Sequence, residues 1–242
     1  MQKTSKVGIV VQRKSDIIPG LPTKVMTKEG REVGIAVIPM SSDIGRALVA
    51  VWHSFIQRPF IDDATTFPQT LGRADRNWVW TSASIAISAA ITMRGYEPFS
   101  FVVAAFDEND NPIPIGLALG ISPFECVPII GRPPVLRSFA WYLAGIPPWA
   151  CEPMGVPIVS ITSTIVDICR LFSLADGGNG RIVLHAASTG GERLLKFYLE
   201  KCKLRLVPRT MQIRSAMPLW RRRNDGRYLY SDGYIRNVDD DL

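Results

Sequence analysis

Along this chain apolar residues alternate with polar ones over some stretches and recur every three or four residues over others. That mixture predicts both strands and helices. Near the start, Val7, Ile9 and Val11 alternate within Lys6 to Gln12 and predict a strand. A loop bearing Pro19, Gly20 and Pro22 follows, and Val33 to Met40 predicts a second strand, stopped by Pro39 and Ser41-Ser42-Asp43. A Ser or Asp side chain there can accept from the first free N–H groups of a helix. The cluster therefore predicts a helix from Asp43 to Gln57, with Ile44, Leu48, Val51, Trp52 and Phe55 on one face. Pro59 to Asn77 is irregular, and Thr81 to Thr92 has a composition that suits a helix or a strand.

Phe99 to Phe106 and Ile113 to Ile121 are apolar runs joined by Asp107 to Pro112, a predicted hairpin. Arg137 to Leu143 predicts another strand, and a Pro-rich connector runs from Pro147 to Pro157. Ile158, Ile161, Ile165, Ile168 and Phe172 keep helical spacing up to the glycine-rich stop at Asp176 to Gly180. A short strand (Arg181 to Ala187), a short helix (Gly191 to Cys202) and strands around the Asn224-Asp225-Gly226 turn complete the pattern. Interleaved helices and strands with a central hairpin predict an α+β, or mixed α/β, fold. The expected division is an extension over residues 1–32, a main domain over 33–208, and a basic extension over 209–242 packed on that domain.

With 47% apolar residues in a chain of 242, wholesale disorder is excluded and a substantial core is expected. The longest apolar helix candidate, Ile158 to Leu174, contains Asp167 and Arg170, so no membrane span of roughly 18 uncharged residues is expected. Met1 to Val11 lacks a secretory apolar region, and a cytoplasmic location is the expectation. Cys126, Cys151, Cys169 and Cys202 are widely spaced and His53 and His185 are the sole histidines, which argues against a metal site. Buried, reduced thiols are the simpler reading.

The formal charge of +6 concentrates toward the C-terminus, at Arg209, Arg214, Arg221, Arg222, Arg223 and Arg227, ahead of Asp239 to Asp241. Such a patch attracts nucleic acid, acidic protein or cofactor phosphates, or is a solvated surface. Trp220 beside Arg221 to Arg223 suits stacking on a nucleic-acid base, without any nucleic-acid motif around it. Trp78 and Trp80, two residues apart, would share a strand face and either line an acceptor pocket or pack in the core. His185, within the short strand, reads as a hydrogen-bonded structural histidine.

The order of elements, and two segments in particular, resemble a known family. Gly180-Arg181-Ile182-Val183-Leu184-His185-Ala186 and Leu195-Lys196-Phe197-Tyr198-Leu199-Glu200-Lys201-Cys202 are similar to the fifth strand and following helix of GNAT-type N-acyltransferases. Ile113-Pro114-Ile115-Gly116 looks like the end of that family's hairpin. The resemblance spans about Val33 to Pro208, with its specific motifs in the last third. It implies a GNAT-like central mixed, mostly antiparallel sheet flanked by helices. It also implies acetyl-CoA or another acyl-CoA as co-substrate and an amine-bearing acceptor, with Tyr198 as general acid toward the departing thiolate. The family's pyrophosphate loop would fall on Glu152-Pro153-Met154-Gly155-Val156-Pro157, with Met154, Gly155 and Val156 contacting the cofactor. Glu152 and Glu125 are the local candidates for a general base, Glu152 being preferred. The chain departs from the family at Glu152, where Arg or Gln is usual, at Pro157, at Gly191 in place of Asn, and at Cys202-Lys203 in place of Gly-Phe. A non-catalytic GNAT-like scaffold and a nucleic-acid-associated protein are therefore the alternatives.

Overall fold

The computed structural model describes residues 18, 20–27, 29–59, 75, 78–80, 98–126 (backbone alone for 124–126), 135–157, 159–209 and 224–233. The strand expected over Lys6 to Gln12, the segment Thr81 to Thr92, and Trp220 to Arg223 lie outside the described residues.

The chain begins with a hairpin, β1 (Lys24–Met26) against β2 (Glu32–Pro39). Helix α1 (Asp43–Trp52) follows where the Ser-Ser-Asp cluster predicts it, and Ser42 Oγ accepts from the Gly45 N–H at 3.0 Å. It runs on through a π-helical turn, His53–Gln57, and residues 58–59 are still helical, so the stretch passes the expected end at Gln57 by two residues and with altered winding. The predicted hairpin is β3 (Pro98–Phe106) with β4 (Pro112–Cys126), longer at its far end than the apolar run suggests. Asp107 closes its turn. Its carboxylate accepts from the side chain and backbone of Asn111 and from the Asn109 N–H, and these bonds hold its pKa below the usual value.

Next come β5 (Val135–Gly145), a one-turn helix α2 (Pro148–Cys151) and the long helix α3 (Ile161–Ala175). The last elements are β6 (Ile182–His185), α4 (Gly191–Glu200), β7 (Arg205–Leu206) and β8 (Tyr228–Ser231). The strands form one sheet in the order β1-β2-β3-β4-β5-β6-β8-β7, in which only β5 and β6 are parallel. This is a mixed α/β fold with a mostly antiparallel central sheet flanked by helices, the GNAT-like architecture that the resemblance implies. Strands from both outer segments, Lys24–Met26 and Tyr228–Ser231, belong to the same sheet.

The core explains the sequence pattern. Phe101 to Ala105 of β3 are all buried, which is why that segment reads as a continuous apolar run rather than an alternating one. α3 crosses the sheet with Phe172 stacked on Phe99 and Phe101, at ring distances of 4.9 and 5.6 Å. Arg137, although charged, is buried on β5. It donates to the Ser231 carbonyl at 2.5 Å and to Asp232 at 3.1 Å, and lies over the Tyr230 ring, tying β5 to the end of β8. Strand β1 has no counterpart among the sequence expectations. Its three residues are too few to show a period, and a bridge from the following Thr27 to Val159 secures the hairpin just ahead of α3.

Candidate functional site

The parallel pair β5–β6 is short. Ser138, Phe139 and Ala140 face Ile182, Val183 and Leu184, and the pairing stops there. β5 continues along β4 to Gly145, whereas β6 ends at His185 and the chain turns through Ser188–Gly190 into α4. The strands therefore part beyond Ala140 and Leu184. The parting coincides with a β-bulge: Gly120 faces Ala140 and Leu119 faces Tyr142, so Trp141 is the inserted residue. A bulge bends its strand and increases local twist. In open sheets with parallel strands, ligands enter at such carboxyl ends, where neighbouring strands diverge.

Two helices begin at this end. α3 starts directly over the end of β5, since a Cβ on Gly145 would lie 2.6 Å from Thr162 Oγ1 and 2.8 Å from Ile161 Cγ2. Neither Ser160, which precedes α3, nor Gly190, which precedes α4, places a side-chain cap on its helix. The first N–H groups of a helix, backed by its dipole, attract anions. Arg227 fixes the approach to α4. Its guanidinium donates to the carbonyls of Ala186 (2.8 Å) and Gly191 (2.7 Å) and pairs with Glu192 at 3.0 Å.

Tyr198, the expected general acid, lies on α4 and is 5% exposed, with its ring edge-on to Phe197 at 5.7 Å. Burial raises its pKa strongly, and Cys202, Cys169 of α3 and Asp75 add to the rise. The phenol therefore keeps its proton at neutral pH, the form a general acid needs. Glu152 is exposed in the turn after α2 and is not among the groups that perturb Tyr198. The side chain of Glu125 lies outside the described residues.

The Met154–Val156 turn differs from a helix-opening loop. α3 begins at Ile161, and all three backbone N–H groups of the turn already donate within it: Met154 to Ala150, Gly155 to Glu152 and Val156 to Cys151. Gly155 has a φ of +68°, which suits glycine, and is exposed, while Val156 is buried. The helix start that lies over the end of β5 is that of α3 instead. The sequence gives little sign of this, because the periodic run begins three residues early, at Ile158, ahead of the cap-type residue Ser160.

Trp78 and Trp80 gather on Tyr142 of β5. Trp78 lies 4.2 Å from the Tyr142 ring and Trp80 6.0 Å, and the two indoles meet edge-on at 5.6 Å. Gln57, at the end of the π-helical turn, donates to the carbonyls of Asp75 (2.9 Å) and Trp78 (2.8 Å) and so holds this segment against α1. His185 ends β6 with Nε2 2.9 Å from Asp225, a pair separated by forty residues that single-segment reading could not join. Among the described residues no group of three or more His, Cys, Asp or Glu side chains could hold a metal ion. Nor is any helix among them long and apolar enough to cross a membrane. Cys151, Cys169 and Cys202 are buried.

No family model and no curated protein matches the chain. Among solved structures, a point mutant of KacT is similar at 12% identity, over 81% of this chain and 94% of that one, with a TM-score of 0.40. A Corynebacterium glutamicum structure described as "histone acetyltransferase HPA2 and related acetyltransferase" is similar at 14% identity, over 84% of this chain and 99% of that one, with a TM-score of 0.37.

Proposed function

We propose that the chain is an acyl-CoA-dependent N-acyltransferase, with acetyl-CoA the first co-substrate to test. The observation that carries this reading is the parting of β5 and β6 with the start of α3 at its edge. A thioester can lie in such an opening while the N–H groups of Ile161, Thr162 and Ser163 meet its pyrophosphate. The Met154–Val156 turn, its three N–H groups engaged, can border that ligand but has no spare backbone donor.

In the transfer the acceptor nitrogen attacks the thioester carbonyl, the C–S bond breaks, and the amine proton passes to a base. Tyr198, held neutral by burial, donates its proton to the leaving thiolate. Pairing the two substrates in one opening supplies the rest of the acceleration by proximity. Titration calorimetry with acetyl-CoA tests the reading. One-site binding at micromolar levels and CoA release in the presence of an amine are expected, and the absence of binding heat refutes it.

A second reading, a non-catalytic scaffold of the same architecture, draws on the engaged N–H groups of Met154 to Val156. Acetyl-CoA that binds without amine-dependent turnover is the outcome that would favour it. Nucleic-acid association, the third alternative, depends on arginines outside the described residues and on Arg209 and Arg227. Arg227 is committed to the α4 approach.

A further inference from the structure

We infer that His185, oriented by Asp225, is the general base that takes the proton from the acceptor amine. This rests on the acyltransferase reading above and names a member of the same site.

The first ground is position. Leu184 and Ala140 form the last rung of the parallel pair, so His185 is the first residue of β6 beyond it, on the strand face opposite Leu184. It stands where the strands part, next to the bulge at Trp141. The second ground is the hydrogen bond. Asp225 precedes β8, and its Oδ2 lies 2.9 Å from His185 Nε2 while its Oδ1 accepts the Arg227 N–H at 3.0 Å. Burial raises the Asp225 pKa, but the His185 bond and the Arg227 N–H outweigh it and hold the carboxyl below its usual value. A carboxylate can only accept, so Nε2 carries a proton, and in the neutral form of the imidazole the lone pair then lies on Nδ1. The third ground is that Nδ1 makes no hydrogen bond among the described residues, while the side chain keeps 17% exposure.

The charged and titratable groups around His185 fit this role. Tyr228 of β8 packs against its ring at 4.6 Å and Asp225 faces it from the preceding loop. The nearby Arg227 guanidinium is turned to the Ala186 and Gly191 carbonyls and Glu192. On the neighbouring β5, the residues at this level are Ala140 and the bulged Trp141, neither of which titrates. By contrast Glu152, the base expected from the sequence, is an exposed carboxylate in the turn after α2. The step balances: the amine proton moves to Nδ1 as the C–N bond forms, and the Tyr198 proton moves to sulfur as the C–S bond breaks. The imidazolium then releases its proton to solvent and the Tyr198 phenolate takes one back from solvent, so the net transfer is from the amine to the CoA thiol.

The test uses the full chain with acetyl-CoA and a panel of primary amines comprising lysine, spermidine and tyramine. H185Q should lower kcat by about 10²-fold or more, leave the acetyl-CoA Kd within about twofold, and remove the acidic limb of the kcat/KM profile. D225N should fall between H185Q and the parent, and H53Q should match the parent. An unchanged limb and turnover in H185Q overturn the inference. Should no amine in the panel react, nuclear magnetic resonance decides. The chain has two histidines, and a non-reactive acetyl-CoA thioether should move the His185 resonances and leave those of His53 in place. Unmoved His185 resonances with bound thioether overturn the base assignment alone, whereas no binding of acetyl-CoA to the parent removes the acyltransferase reading and the assignment with it.

Discussion

Gly116 of β4 and Gly145 of β5 face each other across the sheet, and the first turn of α3 rests on both. The two positions differ in what a methyl group would meet. At Gly145 it would press on Thr162 Oγ1 and Ile161 Cγ2, on the helix's first turn, while at Gly116 the nearest atom is the Ile165 Cδ1 tip at 2.5 Å. The Ile165 Cδ1 tip can rotate away, whereas Thr162 Oγ1 and Ile161 Cγ2 sit next to the Cβ of β-branched residues and move only with the stiff χ1. Gly145→Ala should therefore destabilise by about 1–3 kcal/mol in urea unfolding, as overpacking does. It should also weaken acetyl-CoA binding, while Gly116→Ala costs less stability and leaves the affinity nearly unchanged.

Tyr198 links mechanism to alkaline stability. Its folded pKa is raised above the unfolded value of about 10. The unfolded chain ionises first as pH rises, so the contribution is complete below pH of about 10 and is lost above it. Tyr198→Phe should cut turnover with little change in acetyl-CoA affinity, and its unfolding midpoint should fall less steeply than the parent's between pH 9 and 11. Equal turnover in calorimetrically matched samples would remove Tyr198 from the chemistry.

Arg137 is 3% exposed and anchors the Ser231 carbonyl and Asp232. Arg137→Ala takes the donor from the Ser231 carbonyl and opens a cavity beside Tyr230, while Asp232, half-exposed, keeps Arg205 at 3.8 Å. A loss of about 1–3 kcal/mol in chemical denaturation is expected, of the size seen when a buried carbonyl loses its donor.

Gln57→Ala removes two donors from the Asp75 and Trp78 carbonyls. The Asp75 carbonyl still accepts the Trp78 N–H at 3.1 Å, so the loss falls mainly on the Trp78 carbonyl and should cost about 1 kcal/mol. Because Trp78 and Trp80 pack on Tyr142 through this anchor, tryptophan emission should shift to the red, and acceptor KM should rise more than acetyl-CoA Kd.

The fold was largely readable because its signals are local. Ser42 caps α1, Asp107 closes the central hairpin and the glycines after Ala175 end α3, each within a few residues of the pattern that predicts it. What escaped is non-local. The start of α3 is set by the fit of Ile161 and Thr162 over Gly145 rather than by a cap, so the Ile158 periodicity placed it early. The His185–Asp225 pair and the Trp141 bulge exist only through strand pairing, which leaves no mark on either segment alone. Tyr198 was found by family pattern, and its burial beside Cys169 and Cys202 is a property of packing.

The three-rung pairing of β5 with β6 also matters for how the molecule yields. It is the sheet's single join between β1 to β5 and the β6-β8-β7 group, and α3 and Arg137 are the braces across it. A join this short makes the β6-β8-β7 group a cooperative unit that can open before the rest. Amide protons of Ile182 to Leu184 should then exchange with solvent faster than those of Val102 and Val103 in β3. A bound acyl-CoA bridging the parting would slow them, making exchange at this seam a gauge of occupancy.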